Sequence, residues 1–212
     1  MDKNVSLLCT RGLTTVMLLI MLSACGGGAA TTSSVTLPPT PTAASFAQMA
    51  TTDSALLAKY TPVIYTDLGI IPVSGDASYA GIFKGDLANV ADNVTDTVIG
   101  EMELAVSFTP SSASVSGSVT NFYDDDGAAM AGNLIFTDGR LDRSGDTSSD
   151  ATFTLSADGS LTDANNQVLV FDTTLEGDFL GNNYDAVGGN ALGRITHNGT
   201  SQNFDGTFIA ER

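Results

Sequence analysis

The sequence predicts an all-β fold, a soluble eight-stranded antiparallel up-and-down barrel behind a disordered N-terminal tether. Three observations carry this. Apolar and polar residues alternate with a period of two over most of the chain beyond Gly75. Asp-Gly and Asn-Gly pairs recur between the alternating runs. The composition, with 22 glycines and no tryptophan, suits strands and tight turns better than helices.

The clearest run is Glu101 to Phe108, where Met102, Leu104, Val106 and Phe108 share one face and Glu101, Glu103, Ala105 and Ser107 the other. Such strict alternation marks a half-buried strand. Ala77 to Leu87 and Ala113 to Tyr123 follow the same rule, and Gly132 to Phe136 and Ala151 to Ser156 are shorter cases. Val168 to Leu180 places Phe171, Thr173, Leu175, Gly177 and Phe179 on one side, and Asn183 to Thr196 and Phe204 to Ala210 complete the set. Asp126-Gly127, Asp138-Gly139, Asp158-Gly159 and Asn198-Gly199 are read as the turns, because these pairs tolerate the positive φ of tight hairpins. A meander of this length leaves two raw edges, which closure into a barrel removes. Gly117, Gly177 and Gly193 inside strands are expected to ease the bending that closure imposes.

Ahead of the barrel the chain divides into three further parts. Residues 1–24 have a basic start in Lys3 and Arg11, then the apolar run Leu13 to Leu22, far shorter than the roughly 20 residues a spanning helix needs. This is the pattern of a removable secretory signal. Leu22-Ser23-Ala24-Cys25 resembles the lipobox of bacterial lipoproteins, which implies cleavage before Cys25 and lipid, palmitate included, on that cysteine. Three acyl chains give stable anchoring where one is marginal. Cys9 falls inside the signal, so Cys25 would be the one cysteine left, and lipidation accounts for it. Residues 25–45 are small, polar and proline-bearing and read as a lipidated flexible linker. Residues 46–74 form a lead-in, with a weak helical pattern of Phe46, Met49, Leu56, Leu57 and Tyr60 between Phe46 and Tyr60. The barrel domain takes residues 75–212.

The net charge of −16 is spread along the chain. It favours solubility and repels phosphate backbones, so no nucleic-acid partner is expected. A barrel that spans a membrane has an apolar outer face and a polar lumen. Glu101 and Glu103 opposite an unbroken apolar face favour the reverse arrangement.

Gly75-Asp76-Ala77-Ser78-Tyr79-Ala80-Gly81 resembles the GxAxYxG opening of the barrel domain in transferrin-binding protein B and its relatives. Val106-Ser107-Phe108 with Val115-Ser116-Gly117 resembles an internal hairpin. Asp185-Ala186-Val187-Gly188-Gly189, Phe204-Asp205-Gly206-Thr207-Phe208 and Ala210-Glu211-Arg212 resemble its close. The match covers roughly residues 73–212. The resemblance implies a soluble eight-stranded barrel on a lipid leash, among relatives that capture host iron proteins, haem or complement regulators at the outer-membrane surface. The chain departs from the full receptor in having one barrel and no room for a handle domain of comparable size, so no ligand-contact residues carry over.

Chemistry-bearing residues are few. His197 is the one histidine and stands beside the Asn198-Gly199 turn, with no G-x-S-x-G elbow to pair with it. As a haem ligand it would join Tyr79, Tyr123 and Tyr184, since haem iron accepts histidine or tyrosine. Asp124-Asp125-Asp126 is the densest acidic cluster. Calcium prefers such oxygens, but the EF-hand spacing is absent and a charged hairpin tip is expected. Asn93-Val94-Thr95 and Asn198-Gly199-Thr200 match a glycosylation pattern by chance, and Gly188 to Gly193 misses the dinucleotide fingerprint. The expectation is therefore a non-enzymatic, lipid-anchored envelope protein without metal or cofactor. Its membrane contact runs through lipid on Cys25, in the outer membrane because Gly26 follows the cysteine. Its barrel loops would capture an unknown protein or small-molecule ligand, with Tyr123, Asp124, Asp125, Asp126 and His197 as loop candidates. The alternative is a periplasm-facing structural or assembly lipoprotein with no external ligand.

Overall fold

The computed structural model describes residues 44–61, 65–88, 94–141, 143 and 152–212. The signal, the lipobox with Cys25, and nearly all of the linker lie outside the described residues, as does Asn93. One helix, α1 (Phe46–Tyr60), precedes eight strands: β1 (Gly75–Ala88), β2 (Val94–Phe108), β3 (Ala113–Asp124), β4 (Ala129–Leu141), β5 (Thr152–Thr162), β6 (Val168–Leu180), β7 (Ala186–His197) and β8 (Thr200–Glu211). Each strand pairs antiparallel with its sequence neighbours, and β1 pairs with β8, so the sheet is a closed barrel with no free edge. No helix among the described residues is long and apolar enough to cross a membrane.

The alternation read from the sequence sets the wall. In β6, residues 169, 171, 173, 175, 177 and 179 point inward and are buried, and their neighbours point out. The inward set is aromatic-rich and fills the lumen. Phe83 stacks on Phe204 with centroids 5.6 Å apart, and Phe171 meets Phe204 edge-on at 5.6 Å. Further along the axis Phe179 contacts Phe153 at 5.5 Å, Tyr79 at 6.1 Å and Phe108 at 6.1 Å. Each buried phenylalanine contributes about 2–3 kcal/mol through area removed from water. Thr173 is the buried inward polar side chain, and its hydroxyl donates to Ala157 O at 2.7 Å. The outward faces carry Glu103, Asp158, Asp172 and Glu176, all exposed, which is the reverse of a membrane-spanning barrel's arrangement.

The helix forms over the residues whose pattern predicts it and lies on the outside of the barrel. Met49, Asp53, Leu56 and Tyr60 are its buried stripe. Met49 packs with Ile82 and Ile99, and Leu56 and Tyr60 pack with Leu180, Ala186 and Ile209. These partners point outward from the barrel yet are buried. The apolar doublets Ile82-Phe83, Val98-Ile99 and Phe208-Ile209, where alternation fails, therefore mark the footprint of α1. Leu57, placed on the apolar face by the sequence reading, is exposed. The N-cap of the helix is the last residue of what reads as linker: Ser45 accepts from Gln48 N, and Gln48 Oε1 accepts from Ser45 N at 2.8 Å, a capping box.

Two of the four expected turns are turns. Asn198 (φ 49°) and Gly199 (φ 76°) join β7 to β8, with His197 paired to Thr200. Asp126-Gly127 lies in the β3–β4 turn. Asp138-Gly139 sits instead inside β4 at a bulge, with Asp138 at φ 56°. Asp158-Gly159 is inside β5, where a Cβ on Gly159 would lie 2.2 Å from Asn133 O. Here glycine serves close strand approach. Gly177 likewise makes room for a ring, since a Cβ there would stand 2.4 Å from Phe208 Cζ.

Candidate functional site

The lumen is filled by buried side chains, so the surfaces the barrel offers are its ends and outer wall. The up-and-down order brings the connections 125–128, 163–167 and 198–199 to one end, with Ala88 of β1 and Val94 of β2, here called the upper end. Every loop candidate read from the sequence belongs to this end, but the structure gives them different roles.

On the β2–β4 side, Asp124 organises its own turn. Its Oδ1 accepts from Ala128 N at 2.7 Å, and its backbone O accepts from Gly127 N at 3.0 Å. Asp125 and Asp126 are exposed at the tip. Asp125 meets Asp96, which starts the upper end of β2. Burial, and then the hydrogen bond between the two carboxyls, pushes Asp96 up to about 6. Asp96 therefore keeps its proton into mildly acidic water. Tyr123 turns away from this cluster: it packs on the outer wall with Met49, Ile82 and Ile99, at the start of α1. Its role here is support of the helix.

On the β5–β8 side His197 belongs to a second polar group. Its Nε2 lies 3.2 Å from Gln167 Oε1 and 3.2 Å from Asn198 Nδ2, and Asn198 Nδ2 also donates to Gln167 Oε1. Gln167 N and Asn165 N donate to Asp163 Oδ1 at 2.7 and 2.8 Å. The imidazole faces amides, with no nucleophile or carboxylate among its hydrogen-bond partners. This arrangement holds two hairpin tips together and presents amide edges. It does not form a nucleophile–base–acid relay.

The three tyrosines considered with His197 stand apart. Tyr79 is in the lumen toward the lower end, where its hydroxyl donates to Tyr184 O at 3.0 Å and burial raises its phenol well above the ordinary value. Tyr184 is in the lower β6–β7 connection with the Arg212 guanidinium 4.4 Å over its ring. The structure brings neither together with His197. Among the described residues, no three His, Cys, Asp or Glu side chains are grouped to hold a metal.

Sequence reasoning missed Asp96, Asp163 and Gln167. Asp96 lay upstream of the alternation that begins at Glu101. The two others lie in a turn with no Asp-Gly signature, and the signal that could have found them was a polar run, Asp163 to Gln167, closing an apolar one.

The lower end differs in charge. Lys59 meets Glu211 at 2.5 Å, and Arg143 donates to Pro72 O. With Arg212 they place three of the chain's eight basic residues around that end. The upper end presents carboxylates and amides. No protein-family model, curated protein or solved structure matches this chain.

Proposed function

We propose that this chain is a lipid-anchored cell-envelope binding protein, tethered through Cys25, whose barrel captures a ligand at its acidic upper end. The observation that carries the reading is the filled lumen beneath that end. Phe83, Phe122, Phe171 and Phe204 occupy the space in which a ligand-carrying barrel would hold its cargo. Recognition therefore falls to the rigidly mounted connections, which on β-scaffolds tolerate variation and carry specificity. Asp96, Asp125, Asp126, Asp163 and the Gln167–His197–Asn198 group form a rim of acceptors that suits a basic or amide-rich surface.

The anchor rests on the signal-like N-terminus and the lipobox resemblance. The likeness to transferrin-binding-protein-type barrels favours an iron- or haem-bearing protein as ligand. Because Tyr79, Tyr123, Tyr184 and His197 stand apart, such a ligand would bring its own iron coordination.

The test has two arms. Metabolic labelling with palmitate should mark the chain and fail for Cys25→Ala. Protease shaving of intact cells, with a periplasmic control that survives, should digest the barrel, and the barrel should then capture a specific protein unless Asp125 and Asp126 are both changed to Asn. Full protection until the envelope is broken, with no captured partner, would replace this reading with the periplasm-facing structural one.

A further inference from the structure

We propose that the groove beside α1, on the flank of the barrel, binds an organic cation: an ammonium or guanidinium group carried on an apolar arm. The proposal goes beyond the upper-end reading and does not depend on it.

The groove has a volume of about 660 Å³, within the range of small-molecule sites. Its floor is a row of outward residues in register across three strand pairs: Leu192 opposite Asp205, Asp205 opposite Asp86, and Asp86 opposite Thr97. Asp86 and Asp205 are thus direct cross-strand neighbours on one face, with Cβ atoms about 5 Å apart, a placement that is unfavourable for like charges. The barrel has a second outward pair of this kind, and the contrast is informative. Asp158 stands opposite Asp172, and there the next cross-strand place is held by a cation, Arg194. In the groove the corresponding places are Leu192 and Thr97. The Thr97 hydroxyl donates to Asp86 Oδ1 at 2.7 Å and orients it without supplying charge. Neither Asp86 nor Asp205 forms an ion pair with a described residue.

A second, independent observation points into the same groove. Asp53 sits in the middle of the barrel-facing stripe of α1 and lines the groove while only 7% exposed. It accepts no hydrogen bond from any described residue. Lys84, one row from the Asp86–Asp205 pair and opposite Thr207, is the cation whose charge acts on it. One lysine thus lines the groove with three carboxylates, which leaves it short of positive charge.

The walls explain the apolar arm. Leu57 is 37% exposed, Val94 59% and Leu192 55%, and the three large apolar side chains line this one groove. A bare metal ion would leave them wet, and the described carboxylates are not grouped as a metal-ligand set. An alkyl-ammonium or alkyl-guanidinium group would cover them while its charge rests between Asp86 and Asp205. Such a group arrives either on a free amine or on a lysine or arginine side chain of a partner protein.

The experiment titrates the full chain, purified in non-ionic detergent, with agmatine and separately with a short leucine–arginine peptide, read by calorimetry. Saturable binding of either is expected, tighter for the true source of the cation. Asp205→Asn and Asp86→Asn should each weaken it about tenfold, the loss of one charge-assisted contact. Both variants relieve a repulsion and should fold. Asp158→Asn, in the other outward pair, should leave binding unchanged. Lack of saturation by both probes would overturn the proposal. So would equal weakening by Asp158→Asn and Asp205→Asn, which would mean diffuse attraction to an acidic surface. Calcium binding that Asp205→Asn abolishes, without agmatine or peptide binding, would overturn the assignment to an organic cation.

Discussion

Replacing Asp96 by Asn should stabilise the protein at neutral pH and do nothing at pH 4. The Asp96 carboxyl has an ordinary value of 3.8 and is pushed up to about 6 in the folded chain, first by burial and then by its hydrogen bond with Asp125. Between those two values the native state holds a proton that the unfolded chain has released. Stability therefore falls as pH rises through this window, is fully present below about 4, and is lost above about 6. Unscreened, a shift of this size would amount to roughly 3 kcal/mol. Asp96 is half-buried at the rim, so solvent screening reduces this to about 1 kcal/mol. Asn mimics the protonated acid: its amide donates to Asp125 at every pH. The assay is urea unfolding of both proteins from pH 4 to 7.5, read as the difference between them so that the other acids cancel. The difference should grow from about zero at pH 4 to about 1 kcal/mol in favour of Asp96→Asn above pH 6.5. A difference that is flat across the range, or a wild type more stable than the variant at pH 7, would refute the account of a proton retained on Asp96. Asp86, whose Oδ1 accepts from Thr97, and Asp124, fixed in its own turn, should keep these hydrogen bonds in either protein.

Other substitutions probe the frame. Phe204→Ala removes a ring that meets Phe83 and Phe171, each at 5.6 Å, and should cost about 3–5 kcal/mol in urea unfolding. Gly81→Ala places a methyl carbon 2.0 Å from Ile209 O at the β1–β8 seam, and should cost at least about 2 kcal/mol, with loss of near-ultraviolet dichroism if the seam opens. Asp53→Leu joins the two apolar ends of the α1 stripe. Burial raises the Asp53 carboxyl, so its ionised form opposes docking as pH rises; the variant should have a higher Tm at pH 7 and slower amide exchange across 49–60. The same variant should lose agmatine binding.

Much of the frame was legible because a strand's in–out period is local. β6 matches its sequence-derived bounds, and α1 runs between the two residues its pattern names. What was lost is equally physical. β2 read as starting at Glu101 because Val98 and Ile99 are both buried, one by the lumen and one by the helix, which erases the alternation. Asp-Gly pairs misled at 138 and 158 because the same dipeptide serves a bulge and a close strand approach as well as a turn. Ser45 read as linker, although a serine three residues ahead of Gln48 is a helix start once the helix is granted. The motifs at the two ends of the barrel sequence have a structural reason to resemble one another's grammar. Gly81 faces Ala210, Phe83 faces Phe208 and Gly85 faces Gly206, so the opening and closing stretches are the two sides of one seam.

The candidate sites were less legible because they are products of register. His197 and the Asp124–Asp126 tip could be picked out singly, but their common end follows only from the even number of strands. The meeting of Asp86 with Asp205 requires the seam to close in one register and no other. A slip of either strand by one residue would turn that strand's carboxylate into the aromatic lumen. The stacked rings of Phe83, Phe171 and Phe204 forbid that slip, since Gly85 and Gly206 leave the space that the Phe204 ring fills. The packing that excludes a ligand from the lumen is therefore what holds the repelling acid pair on the outer wall. It maintains a charge arrangement that the strands alone would relax, and a fixed, unbalanced pair of this kind is what a cationic ligand needs in order to bind without reorganising the protein first.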